Sequence, residues 1–110
     1  LRFEMLHWNR YFEGRGIENY WIDTFNHHDY GVEIPRLLFD KEPQRDVLYQ
    51  MLNARGISIQ NDSYHISQYT RDSKRIDTAV RLGLVNPYSY HPTKVGHHLI
   101  AELINQQIAL

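Results

Sequence analysis

The sequence predicts an α/β domain that is rich in helix. Phe3 to Phe12 carries apolar side chains at helical spacing, and Gly14 and Gly16 predict the end of that helix. The next stretch, Ile17 to Phe25, is rich in aromatic and β-branched residues, which favours a strand. Because a helix followed by a strand is half of an α/β repeat, we expect Ile17 to Phe25 to be the main parallel strand.

Two helices are predicted in the middle of the chain. The first follows Pro43 and ends at Gly56, a glycine placed just after a basic last turn. Its apolar stripe consists of Val47, Leu48, Met51 and Leu52. The second spans residues 72–84 and ends before Asn86-Pro87. Its inward-facing residues are Ile76, Ala79 and Val80.

The last helix is predicted from its entrance and its periodicity. Pro92 suits a helix entrance because its φ is fixed, and the Thr93 hydroxyl can cap a free backbone N–H. The apolar residues that recur at helical spacing are Leu99, Ile100, Leu103, Ile104 and Ile108. Gly96 falls on the same face, where a glycine permits close packing. We therefore expect His91 to lie in the loop, outside the helix.

Length and composition favour one domain, residues 1–110. With 42% hydrophobic residues the chain can bury one ordinary core, and it is too short for two. A formal net charge of −1, with Lys and Arg scattered among Asp and Glu, argues against nucleic acid as a partner. The chain has no cysteine, which excludes disulfides and thiolate catalysis and is compatible with a cytoplasmic protein. No apolar run approaches transmembrane length, so we expect no membrane partner, and we expect no cofactor.

The final block of the chain resembles the C-terminal block of the SGNH/GDSL hydrolase family. The shared features are a His-Pro pair, a short gap, a glycine and an apolar helix that contains alanine, and the match covers about twenty residues, Tyr88 to Ile108. The resemblance implies a three-layer, flavodoxin-like α/β fold. It also implies a serine esterase or acyl hydrolase in which His91 is the general base. Imidazole suits that role because its ordinary pKa of about 6.5 leaves it largely neutral at pH 7.

Two parts of the family's pattern are missing. The family usually places an aspartate three residues before the histidine to orient it, and that position is Tyr88 here. The Gly-Asp-Ser block that carries the nucleophilic serine is also missing. The resemblance thus implies that the chain is the C-terminal part of a longer hydrolase domain and that the 110 residues alone are inactive. Ser89 is near His91 in sequence, but adjacency does not supply the geometry of a nucleophile.

Polar side chains after the predicted strand form a second candidate site. In open α/β sheets ligands bind beyond the carboxyl ends of strands, so Asp23, Asn26 and His27 are candidates for a substrate pocket. Asp23 is also the nearest substitute for the missing orienting carboxylate. The alternative is that Asp23 caps a turn and the histidines lie in solvent. Tyr88 and Tyr90 either line the same pocket or pin the loop to the core.

A metal site is the less favoured interpretation of the histidines. His27, His28 and Asp29 are acceptable zinc ligands in type, but no His-Glu-x-x-His helix accompanies them. His97 and His98 point about 100° apart on a helix and do not easily share an ion.

Two functions from different classes follow. The first is the base-bearing part of a serine hydrolase that acts on a small ester or acylated molecule. The second is a small helical interaction or DNA-binding domain, in which the helix that ends at Leu84 and the last helix form a helix-turn-helix-like pair. The second is weakened by charge, because the last helix has one lysine against one glutamate. The sequence does not predict an oligomeric state.

Overall fold

The computed structural model describes residues 2–23, 31, 33–42, 45–59 and 74–108. Four helices occupy most of this part of the chain: α1 (Arg2–Glu13), α2 (Val47–Ala54), α3 (Lys74–Arg81) and α4 (Lys94–Ile108). All four were predicted from the sequence, although α2 and α3 are shorter than the predicted segments. None of these helices combines the length and the apolar character that crossing a membrane requires.

The predicted α/β fold, with Ile17 to Phe25 as the main parallel strand of a flavodoxin-like sheet, is wrong. Within the described ranges the chain is helical and contains no strand. Residues 17–23, which we call the bridging segment, pair only through isolated parallel bridges of Trp21 with Leu37 and of Asp23 with Asp46. Phe25 lies outside the described residues.

No sheet forms beside Trp21 because the adjacent segment of the chain pairs with it through Leu37 alone and then turns away. The Trp21 amide donates to the Arg36 carbonyl at 3.0 Å, and the Leu38 amide donates to the Trp21 carbonyl at 2.8 Å. On either side of that contact, Arg36 and Phe39 have positive φ angles of 56° and 60°. The backbone there runs through turns rather than along the bridging segment. The strand propensity of the sequence therefore has no partner to pair with.

α2 lies at the centre of the main core and packs against both α3 and α4. The buried members of this core are Val47, Leu48, Met51, Leu52, Ala79, Leu84, Val85 and Leu99. The apolar stripe predicted for α2 is therefore confirmed. Gly56 ends α2 as predicted: its φ is 80°, and the Ile57 amide beyond it donates to the Leu52 carbonyl at 3.0 Å.

α1 packs on a second, smaller core. Met5 is buried against Ile34 and Leu37, with Leu6 and Trp21 packed beside them. The buried Asn9 joins α1 to the bridging segment, since its Oδ1 accepts from Trp21 Nε1 at 2.9 Å and from Asn19 Nδ2 at 3.2 Å. The apolar face predicted for α1 is thus only partly covered, because Trp8 is 47% exposed.

α4 begins where the sequence predicts. The Thr93 hydroxyl accepts from the Gly96 amide at 3.1 Å, which is the expected N-cap, and donates to the Gly83 carbonyl at 2.6 Å. Gly96 is buried against the backbone of Leu84, and a Cβ on Gly96 would lie 2.0 Å from the Leu84 carbonyl oxygen. The close packing predicted for Gly96 is therefore confirmed. It fixes α4 on the turn that follows α3.

Two ion pairs with buried carboxylates surround the start of α2. Arg45 Nε donates to Asp23 Oδ2 at 3.1 Å, and the Asp23 side chain is fully buried. Next to it, Asp46 caps α2 by accepting from the Tyr49 amide at 3.0 Å. The same carboxylate accepts from Arg75 of α3. These pairs tie the bridging segment, α2 and α3 together.

Candidate functional site

A groove of about 490 Å³ lies where the loop before α4 faces α2 and the bridging segment. The described residues that line it are Ile22, Val47, Tyr90, His91, Pro92, His97 and Ile100. We call it the His91 groove. Its volume is in the range of small-molecule sites, and most of its lining is apolar. Among these residues, the polar side-chain groups are the Tyr90 hydroxyl and two imidazoles.

His91 is held by a short turn that the sequence builds around Asn86. The Asn86 side-chain oxygen accepts from the amides of Tyr88 and Ser89 at 2.8 and 3.2 Å. The backbone N–H of Asn86 donates to the His91 carbonyl at 2.8 Å, which closes the turn. An antiparallel bridge between Val85 and Pro92 continues the closure. The backbone of His91 is thereby fixed, while its side chain is exposed at the edge of the groove.

Tyr90, immediately before His91, has a left-handed backbone conformation with a φ of 59°. A bulky side chain in this region costs about 1–3 kcal/mol and persists only where its surroundings enforce it. Part of that enforcement is the hydrogen bond from the Tyr90 amide to the Asn86 carbonyl, 2.9 Å long. This conformation turns the chain at the point where Tyr90 and His91 both line the groove.

His97 enters the groove from the first turns of α4. Its amide donates to the Thr93 carbonyl at 2.8 Å, so the Thr93 cap fixes the helix on which the ring is carried. Ile100, three residues later on the same face, lines the groove beside it. The cap that the sequence predicts thus also places a second imidazole in the groove that holds His91.

The opposite wall consists of Ile22 and Val47. The Val47 amide donates to the Asp23 carbonyl at 2.8 Å, which holds the end of the bridging segment against the start of α2. The adjacent carboxylates, Asp23 and Asp46, pair with Arg45 and Arg75. The residues that line the wall therefore present apolar side chains to the groove.

The structure separates the residues predicted for the substrate pocket. His91 and Tyr90 line the groove, whereas Tyr88 is 84% exposed and does not line it. Asp23 neighbours the wall residue Ile22, but its carboxylate is buried against Arg45. Asn26 and His27 lie outside the described residues.

Sequence reasoning did not predict that His97 would share a groove with His91. It also missed the pairing of Asp23 with Arg45, because that contact joins residues far apart in the chain. A signal for His97 was present, since His97 and Ile100 are three residues apart behind a strong N-cap. The sequence alone does not show that the loop carrying His91 lies beside the face of α4 that carries His97 and Ile100.

The described residues of the groove supply too few ligands for a typical metal site. No group of three or more His, Cys, Asp or Glu side chains suited to a metal occurs within the described ranges. Two imidazoles leave a tetrahedral ion short of ligands. The chemistry open to these residues is proton transfer and hydrogen bonding.

No protein-family model, curated protein or solved structure that was compared with this chain matches it. The function has to be inferred from the groove itself.

Proposed function

We propose that the His91 groove binds a small ester or acylated molecule and that His91 is the general base for its hydrolysis. The observation that carries this proposal is the placement of His91, which lies outside α4, exposed, at the edge of a mostly apolar groove. An acyl group is accommodated by the walls of Ile22, Val47 and Ile100. The last block, which resembles that of the SGNH/GDSL hydrolases, suggests the same role for His91, but the described residues lack the flavodoxin-like fold that this resemblance implied, so the groove carries the proposal.

In the proposed reaction, a serine hydroxyl supplied from outside the 110 residues attacks the carbonyl carbon. His91 accepts the serine proton and returns it to the leaving alcohol when the C–O bond breaks. Water then releases the acid from the acylated serine with His91 again as base. Ser89 is not assigned the nucleophile's role, because it is not among the described residues that line the groove.

Among the described residues, no carboxylate lines the groove to orient His91. Asp23 was the sequence-based candidate, but Arg45 occupies Asp23 Oδ2 at 3.1 Å. A general base without an orienting partner is weaker but still functional, since the partner fixes the tautomer and does not take the proton.

The alternative of a helix-turn-helix-like pair gains no support from the geometry. Such a pair requires two packed helices joined by a turn of about 3–4 residues. Residues 82–93, twelve residues, separate α3 from α4, and both helices pack on α2.

The 110 residues without the nucleophilic serine are expected to be inactive as a serine hydrolase, but an activated ester still reports whether an acyl group binds beside His91, because imidazole can attack such an ester as a nucleophile. A neutral imidazole attacks p-nitrophenyl butyrate directly, releases p-nitrophenolate and loses the acyl group to water. If the groove binds the acyl chain beside His91, release should saturate with ester concentration, because binding precedes attack. His91→Gln should remove the saturating component.

His98→Gln is the matched control, since His98 is an exposed histidine on α4 that does not line the groove. It should leave the saturating component intact. Release that rises linearly with ester and is unchanged by His91→Gln would contradict the proposal. In a longer protein that joins these residues to a Gly-Asp-Ser block, His91→Ala should abolish turnover of the same ester.

A further inference from the structure

The His91 groove has an unusual balance of apolar and titratable groups. Of its seven described lining residues, Ile22, Val47, Pro92 and Ile100 are apolar, and Tyr90 adds an aromatic ring with a hydroxyl. The other two, His91 and His97, carry imidazoles, whose ring N–H groups can donate hydrogen bonds to an anion. No carboxylate is among the described lining residues. The groove therefore combines apolar walls with two side chains that can bind an anion, and it presents no described carboxylate that would repel one.

Among the described residues, the carboxylates next to the groove are paired with arginines. On the bridging segment, the carboxylate next to the groove is Asp23, which is buried against Arg45. On α2 it is Asp46, which is buried against Arg75. On α4, Lys94 and His98 line an adjoining surface depression together with His97. The first turn of α4 also presents the positive end of the helix dipole.

We propose that the groove binds a monocarboxylate with a short apolar chain, its head held by the imidazoles of His91 and His97. The apolar tail lies against Ile22, Val47 and Ile100. This inference rests on the proposed function, because such an acid is the product of the ester hydrolysis described above. It adds His97 as the second binding residue of the site.

Hexanoate binding to the 110-residue chain, followed by isothermal titration calorimetry, tests this directly. Affinity should be at least about tenfold higher at pH 5.5 than at pH 8, because a carboxylate binds more strongly to a charged hydrogen-bond donor than to a neutral one. Hexanamide, which has the same chain and no charge, should show no such pH dependence. Each methylene added from acetate to hexanoate should strengthen binding by up to about fourfold.

His97→Gln should reduce hexanoate affinity at pH 5.5 by about tenfold and leave hexanamide binding unchanged. His7→Gln, at an exposed histidine of α1 outside the groove, is the matched control and should keep wild-type affinity. Equal hexanoate binding by wild type and His97→Gln, or equal binding at both pH values, would overturn the proposal. Saturable, His91-dependent ester cleavage alongside such a result would show that the proposed function stands while the carboxylate site does not.

Discussion

Gly96→Ala should destabilise the fold, although alanine is the better helix former. A Cβ at position 96 would lie 2.0 Å from the Leu84 carbonyl oxygen, and an ordinary contact begins at 3.4 Å. α4 and the backbone at Leu84 would have to separate by more than 1 Å. Overpacking of this kind costs about 1–3 kcal/mol.

Two further terms set the net effect of Gly96→Ala. The separation would stretch the hydrogen bonds from Thr93 to the Leu84 and Gly83 carbonyls, which are 3.0 and 2.6 Å long. Each contributes about 1 kcal/mol, so weakening both by about half adds about 1 kcal/mol to the loss. Higher helix propensity returns about 1 kcal/mol. The net loss is about 2 kcal/mol of unfolding free energy, a large share of the ordinary total of about 5–15 kcal/mol.

Urea unfolding measures this loss, which should lower the midpoint by about 1 M. Ala101→Gly on the exposed face of α4 is the matched control, and it should cost about 1 kcal/mol through helix propensity alone. At an ordinary helix position alanine is more stabilising than glycine, whereas at position 96 we expect glycine to be the more stabilising residue. A Gly96→Ala variant as stable as wild type, or more stable, would refute the close contact.

Three further changes test other parts of the fold. Asp46→Asn should cost about 3–5 kcal/mol in urea unfolding, because it leaves buried Arg75 without its carboxylate, and an unchanged midpoint would contradict the pairing. Asn9→Ala should cost about 1–3 kcal/mol in urea unfolding, since Trp21 Nε1 loses its acceptor, and an unchanged midpoint would count against that bond. The hydrogen bond to Glu18 raises the pKa of the exposed Tyr20 phenol above 10.0, so Glu18→Gln should lower it in a 295 nm absorbance titration. Because the folded-state pKa is the higher one, any stability from this bond is present below pH 10 and is lost as pH rises through that pKa.

The helices were predictable because their signals are local. Thr93 was predicted to cap α4 and does so through an amide only three residues away, and apolar periodicity marks the buried faces of α2 and α4. Asp46 caps α2 in the same way, although it was not predicted as a cap. The strand prediction failed because a strand needs a partner, and the turns around Arg36 remove it. No feature of residues 17–25 alone carries that information.

The candidate site was predictable in part for the same reason. Pro92 and Thr93 placed His91 in the loop correctly, since both act on neighbouring backbone. The role suggested for Asp23 depended on a contact across the fold, and Arg45 occupies that carboxylate. The meeting of His91 with His97 likewise depends on how the turn after α3 packs against α4.

The most direct test of the His91 groove is a hexanoate titration at pH 5.5 followed through the Cε1–H NMR signals of the histidines. The signals of His91 and His97 should shift together and saturate, because both rings line one groove. Those of His7 on α1 and His98 on α4, both exposed and outside the groove, should stay in place. Equal shifts at His7 and His98, or no shift at His91, would contradict a ligand site at the His91 groove.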